Sequence, residues 1–190
     1  LTGSEAGAHY RVRVGLVQAL TRPALLDEVL EKGTEVGASF FIVVPAAGST
    51  TPGGPALAAR LERWRRIVLE AAKQSKQTTV PSVESLPSLE AAADHLEAER
   101  AVSVVLEPSA PAPLGEVLQR VVAGNEASSD DGTQAALALW IGPESGWSQQ
   151  ELQQFAEADL RTARLGQSVL RAETAGPVAV AAARLLTGDW

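Results

Sequence analysis

Short apolar runs alternate with longer stretches of helical period along most of the chain. Basic and apolar residues alternate through Arg11, Val12, Arg13 and Val14 and then turn continuously apolar, which predicts a first strand over residues 11–20. Residues 23–36 set Leu25, Leu26, Val29, Leu30 and Val36 on one helical face, with Gly37 placed to end the helix. Phe40–Val44 reads as a buried strand stopped by Pro45, and residues 46–55, rich in Gly, Pro, Ser and Thr, as a mobile loop. The longest predicted helix covers 57–75, with Leu61, Trp64, Ile67, Val68 and Ala71 facing inward and Arg60, Arg63, Arg65 and Arg66 forming a solvated face. Strands over 80–83 and 101–106 and helices over 89–98 and 114–122 follow, and the acidic, polar stretch 125–133 reads as disordered. The pattern strand, loop, helix then comes twice: 135–141 with 148–158, and 162–165 with 173–186. This alternation predicts an α/β layered domain with a mostly parallel sheet.

Composition narrows the class. The chain has 190 residues, enough for one well-buried domain and too few for two ordinary ones. Aromatic residues make up only 4% against 45% apolar overall, so the core is built from Ala, Val, Leu and Ile, as suits a sheet covered by Ala-rich helices. The absence of cysteine excludes disulfides, thiolate metal sites and a cysteine nucleophile. His9 and His95 are far apart and read as surface residues, so no metal site is expected. No apolar run of about 18 residues and no signal pattern occur, and a soluble intracellular protein is the expectation.

Two loops carry the candidate chemistry. Ala136–Ile141 empties into Gly142-Pro143-Glu144-Ser145-Gly146, whose glycines and proline set an unusual backbone path and leave main-chain N–H groups free for a ligand. Ser148 and Glu151 then have the spacing of a capping box. The second loop, Leu165-Gly166-Gln167-Ser168-Val169-Leu170-Arg171-Ala172-Glu173-Thr174-Ala175, also opens a helix, in which Pro177 is expected in the first turn. Two such loops at the C-terminal edge of an α/β sheet are where a cofactor is expected.

The paired loops resemble the cofactor loops of the RsmE family, methyltransferases of the SPOUT class. The resemblance extends to Leu30-Glu31-Lys32-Gly33-Thr34-Glu35-Val36-Gly37-Ala38 and to Glu70-Ala71-Ala72-Lys73-Gln74-Ser75, and runs from about Val14 to the C-terminus. It implies a SPOUT-type α/β domain with a C-terminal trefoil knot over residues 11–190, preceded by a disordered linker over 1–10. It also implies a homodimer joined through its C-terminal helices, and transfer of a methyl group from S-adenosylmethionine to N3 of a uridine in small-subunit ribosomal RNA. Localisation in the cytoplasm, or in an organellar matrix or stroma, follows from the same reading. Family members normally carry an N-terminal PUA-like barrel, and this chain begins near where that barrel should end.

Carried onto these residues, the resemblance implies cofactor contacts at Leu106, Leu139, Ile141, Gly142, Pro143, Glu144, Gly146, Leu165, Gly166, Leu170, Arg171, Thr174 and Ala175. Removing the N3 proton of uracil leaves negative charge on the base, which makes Arg171 the candidate for stabilising that charge or for gripping a phosphate. Glu144 and Glu173 are the candidates for proton acceptance or polar positioning, the two not being separated. Lys32, Glu35, Glu70, Gln74 and Ser75 are implied to contact substrate; Glu70, Gln74 and Ser75, which alone would read as helix capping and solvation, are implied to face the active cleft.

Some positions depart from the family pattern. Ser145 stands where glycine is usual, and would cost about 1 kcal/mol if that position demanded positive φ. Ser75-Lys76-Gln77 replaces Ser-Gly-Arg, the loop after Pro45 lacks an Arg-Ser pattern, and Thr21-Arg22-Pro23 stands where a lysine is usual. With a formal charge of −7, these departures motivate a second expectation, a non-catalytic dimeric RNA- or ribosome-associated scaffold. Other enzyme classes lack their signatures: no Gly-x-Ser-x-Gly, no Gly-x-Gly-x-x-Gly and no Gly-x-x-x-x-Gly-Lys occurs.

Overall fold

The structure is a computed structural model that describes residues 10–47, 49, 53–123 and 134–189. Six strands form one sheet in the order β3-β2-β1-β5-β4-β6, and every pairing is parallel. They are β1 (Arg13–Ala19), β2 (Phe40–Val44), β3 (Ser82–Ser85), β4 (Val102–Leu106), β5 (Ala136–Ile141) and β6 (Arg161–Ala163). The helices are α1 (Pro23–Glu35), α2 (Gly54–Gln74), α3 (Leu89–Ala98), α4 (Leu114–Ala123), α5 (Gln149–Glu157) and α6 (Ala172–Thr187).

Strand periodicity sorts the core into two layers. Leu16, Phe41, Val43, Leu137, Leu139 and Ile141 face α1, α2, α4 and α6. Val17, Phe40, Ile42, Val105, Ala138 and Trp140 face α3 and α5. The α/β parallel-sheet expectation therefore holds, and β1 and β5 at the centre are buried on both sides.

Element boundaries moved where the apolar signal was thin. Val80, expected to open β3, is exposed, and the strand begins after Pro81 at Ser82, opposite Phe40. As the sheet edge, β3 buries only Val83. The expected capping box is present: Glu151 N–H donates to Ser148 Oγ at 3.2 Å and Ser148 N–H to Glu151 Oε2 at 2.7 Å. Glu151 also accepts from the Ala47 amide at 2.7 Å, tying down the loop after β2. Of the stretch 46–55, residues 48 and 50–52 lie outside the described residues, as do 125–133 and 1–9 of the expected linker.

Pro177 corrects an expectation. α6 starts at Ala172, so Pro177 sits in its second turn, inside the helix and buried. Lacking an N–H, it leaves the Glu173 carbonyl without its intrahelical donor. The helix nevertheless packs tightly: a Cβ on Gly176 would stand 3.0 Å from Leu16 Cδ1, so a side chain there would force Leu16 to give way.

The parallel topology sets the geography of the site. All six strands point their C-terminal ends the same way, and the connections after β1 and β5 lead to opposite sides of the sheet, creating a switch point. α1 and α2 run back from that edge, so Glu35 and Gln74 end at the opposite one.

Candidate functional site

A cleft of about 500 Å³ opens over the C-terminal ends of β1, β5 and β4. The loop leaving β5 forms its base. Gly146 N–H closes a turn onto the Pro143 carbonyl at 2.9 Å, with Glu144 and Ser145 at the tip. Positive φ falls on Gly146 (76°), whereas Ser145 is not among the left-handed residues. The strain conditional on a left-handed backbone at Ser145 therefore does not arise.

Trp147 locks this base to the neighbouring strand. Its Nε1 donates to the Leu106 carbonyl at 3.1 Å, and its ring meets Phe155 edge-on at 4.9 Å. A Cβ on Gly142 would come within 3.2 Å of the indole, so glycine there serves this packing.

The second loop forms the other wall. Arg164 N–H bonds the Ala112 carbonyl at 2.9 Å and Leu114 N–H the Arg164 carbonyl at 2.8 Å, which anchors the chain leaving β6 against the segment leading into α4. The chain then reaches α6 through exposed Val169. Arg171 is the N-cap of α6 without a side-chain capping bond; Thr174 and Ala175 N–H groups bond back to its carbonyl at 2.9 and 2.8 Å. The first amides of α6 thus have no helical acceptor and face a region suited to negative charge.

Five charged side chains line the cleft: Arg22, Glu107, Glu144, Arg171 and Glu173. Arg22 Nε donates to Glu144 Oε1 at 3.0 Å. Arg171 stands 3.8 Å from Glu173, its own side chain 87% exposed and that of Glu173 16%. The buried Thr21 hydroxyl completes no hydrogen bond of standard geometry. It nonetheless stands close enough to Glu144 to be the first influence holding that carboxyl below its ordinary value, followed by the residue's own amide; burial opposes them, and Arg22 adds the smallest contributions.

The structure gathers most of the expected cofactor residues. Leu106, Ile141, Gly142, Pro143, Glu144, Gly146, Leu170, Arg171 and Ala175 line the cleft, as does Glu173. Leu139, Leu165, Gly166 and Thr174 do not line it; Leu139 is fully buried in β5, and Leu165 packs against the core. Sequence reasoning missed Arg22, Leu25, Glu107, Pro108, Trp147, Val169 and Ala172 as lining residues. Arg22 and Glu107 each follow a strand closely, a signal that becomes usable only once β1 and β4 are known to flank β5.

The expected substrate residues do not line this cleft. Glu35, Glu70 and Gln74 line a separate groove between α1 and α2. Lys32 is paired with Glu31 and Glu35 at 2.9 and 3.0 Å, and Ser75 Oγ donates to the Ala71 carbonyl at 2.7 Å. The 13 residues of α1 carry this end about 20 Å from the cleft. Two arginines of the α2 face are paired, Arg63 with Asp27 and Arg65 with Glu62, and Arg66 lines the groove. Among the described residues no cluster of three or more His, Asp or Glu is placed to hold a metal, and no helix is long and apolar enough to cross a membrane.

Comparison with known proteins agrees with this geometry. The family model described as RNA methyltransferase domain matches residues 8–184. The chain is 32% identical over 185 residues to ribosomal RNA small subunit methyltransferase E of Mycobacterium tuberculosis, covering 95% of this chain and 66% of that protein. It is 30% identical over 183 residues to the Bacillus subtilis protein of the same name, covering 94% and 69%. It therefore spans about two thirds of the length of these curated relatives. A crystal structure of ribosomal RNA small subunit methyltransferase E from Neisseria gonorrhoeae, bound to S-adenosyl methionine, superposes with a TM-score of 0.79 at 28% identity, covering 96% of this chain and 70% of that one. With the strand order and both loops in place, the match over nearly the whole chain means that it belongs to the RsmE family of RNA methyltransferase domains, on a SPOUT-type α/β fold.

Proposed function

We propose that this chain is the methyl-transferring domain of an S-adenosylmethionine-dependent enzyme that modifies N3 of a uridine in small-subunit ribosomal RNA. The observation that carries the reading is the cleft at the sheet's switch point, walled by both candidate loops. Its volume lies within the range of about 300–1,000 Å³ usual for small-molecule sites. The residues present fit the cofactor: Leu25, Leu106, Ile141 and Leu170 offer apolar walls, and the turn at Gly146 and the start of α6 offer main-chain groups. When bound, the cofactor supplies an electrophilic methyl group on a sulfonium.

The chain's own residues supply the rest. Arg171, exposed at the rim, is positioned to stabilise the charge that develops on the base as N3 loses its proton. Glu144 is the poorer proton acceptor, because its carboxyl is held below the ordinary value and is already paired with Arg22. Glu173, at the same rim as Arg171, takes that role. The scaffold reading loses two of its motivations, since Ser145 carries no left-handed strain and Arg22 returns a basic group to the place where the family's lysine is missed.

Val178 and Leu185 lie seven residues apart on α6 and are both exposed, which supports the homodimer through the C-terminal helices. The trefoil knot and the cytoplasmic site of action belong to the same family reading. Calorimetric titration of S-adenosylmethionine, together with methyl transfer to small-subunit ribosomal RNA, tests the proposal. Arg171→Ala is expected to bind the cofactor within a few-fold of the parent and to lose about 100-fold or more in turnover. A folded parent that binds no cofactor overturns the reading.

A further inference from the structure

The three carboxylates of the cleft are not equivalent. Glu144 and Glu173 each stand beside an arginine, whereas among the described residues no cation is paired with Glu107. Its two hydrogen bonds, from Ser109 N–H at 3.1 Å and Ser109 Oγ at 2.8 Å, both end on Oε1. They hold the carboxylate in one orientation and leave its second oxygen without a donor among the described residues.

The position of Glu107 also differs. It directly follows β4, with its amide bonded to the Ala163 carbonyl at 2.9 Å, so the backbone beneath it is pinned on the β6 side. Trp147 pins the preceding residue through the Leu106 carbonyl. Arg22 follows β1, and β5 lies between, so the arginine and the unpaired carboxylate stand about 10 Å apart along the sheet. The cleft is therefore polar along its length, with the Arg22–Glu144 pair at one end and a half-buried hydrogen-bond acceptor flanked by Leu106 and Pro108 at the other.

Resting on the cofactor reading above, we propose that Glu107 is the ribose-recognising group of this cleft, its carboxylate accepting hydrogen bonds from the vicinal hydroxyls of adenosine. A carboxylate with a free oxygen is an acceptor-only group, which two adjacent hydroxyls satisfy as donors. Ser109 fixes the carboxylate in advance, so little ordering remains to be done on binding. The Arg22–Glu144 pair at the far end leaves the amino-acid arm of the ligand to that side.

The test is calorimetric, with S-adenosylhomocysteine and its analogue lacking both ribose hydroxyls as probes, on the full chain. The parent is expected to bind the diol-bearing ligand about 10- to 100-fold more tightly than the analogue. Glu107→Ala should erase that preference, weakening S-adenosylhomocysteine by the same factor and the analogue by less than about two-fold. Ser109→Ala, which frees the carboxylate without removing it, should lower the preference part of the way and serves if the Glu107 variant fails to fold. A parent that binds both ligands equally, or a Glu107→Ala loss of equal size on both, overturns the assignment while leaving the cofactor reading intact. A folded parent that binds neither overturns both.

Discussion

Lys76 follows α2 with φ of 58°, in the left-handed region, where Gln77 N–H bonds the Ala72 carbonyl at 3.0 Å and Lys76 N–H the Lys73 carbonyl at 3.2 Å. This is the helix-ending geometry that glycine takes without a Cβ penalty. Lys76→Gly is expected to stabilise the fold by roughly 0.5–1 kcal/mol, since relief of the left-handed cost outweighs the extra freedom of glycine in the unfolded chain. The midpoint of urea unfolding measures it, and an unchanged or lower midpoint contradicts it. Glu144 offers a second check. Its carboxyl is held below the ordinary value, by Thr21 first, then its own amide and, least, Arg22, so its ionised form contributes stability that is present above the unfolded value and is lost as pH falls through the lower folded value. Carboxyl NMR titration should show the Glu144 value rising in Thr21→Val and in Arg22→Ala; a value unmoved in both would mean the cause lies elsewhere.

At the level of elements, α6 joins the cleft to the far edge of the sheet. Its N-terminus carries Arg171 and Glu173, and near its C-terminus Arg184 is wholly buried. The Arg184 guanidinium donates to the Gly37 carbonyl at 2.9 and 2.6 Å, to Val12 at 2.6 Å, to Ser39 Oγ at 2.8 Å and to Asp189 at 3.2 Å. It also stacks on Tyr10 at 3.5 Å from the ring centroid. Burial pushes its pKa down, opposed by Tyr10 and by the Asp189 carboxylate. Asp189 in turn accepts from the Arg11 and Val12 amides, so one ion pair ties the end of α6 to the entry of β1 and to the turn before β2. Arg184→Ala is expected to cost about 3–5 kcal/mol, because it leaves the buried Asp189 carboxylate without its cation and the Gly37 and Val12 carbonyls without their guanidinium donor. Denaturant unfolding decides this, and a loss under 1 kcal/mol would show that water replaces the guanidinium readily.

On the scale of the whole molecule, the sheet turns residues that are remote in the chain into one cleft: Arg22, Glu107, Glu144 and Arg171 come from four different connections. Period and punctuation made most elements legible, because β2, β4 and β5 are apolar runs and the Ser148-x-x-Glu151 cap marks α5. The edge strand β3 was misplaced because one buried valine leaves almost no pattern. Arg22 and Glu107 were missed for a different reason: nothing local distinguishes a cleft arginine or glutamate from a solvated one.

What the sequence alone determined is the alternation of strands and helices, the two glycine-bounded loops and hence the candidate cofactor contacts along them, since backbone conformation and hydrophobic period are local properties. Only the tertiary structure decided which charges face one another. Strand order places β5 between β1 and β4, brings Arg22 onto Glu144, leaves Glu107 unpaired among the described residues, and sends Lys32, Glu35, Glu70, Gln74 and Ser75 to the opposite edge. These are relations between segments up to about a hundred residues apart or more, set by which faces bury against each other, and burial is a property of the packed whole.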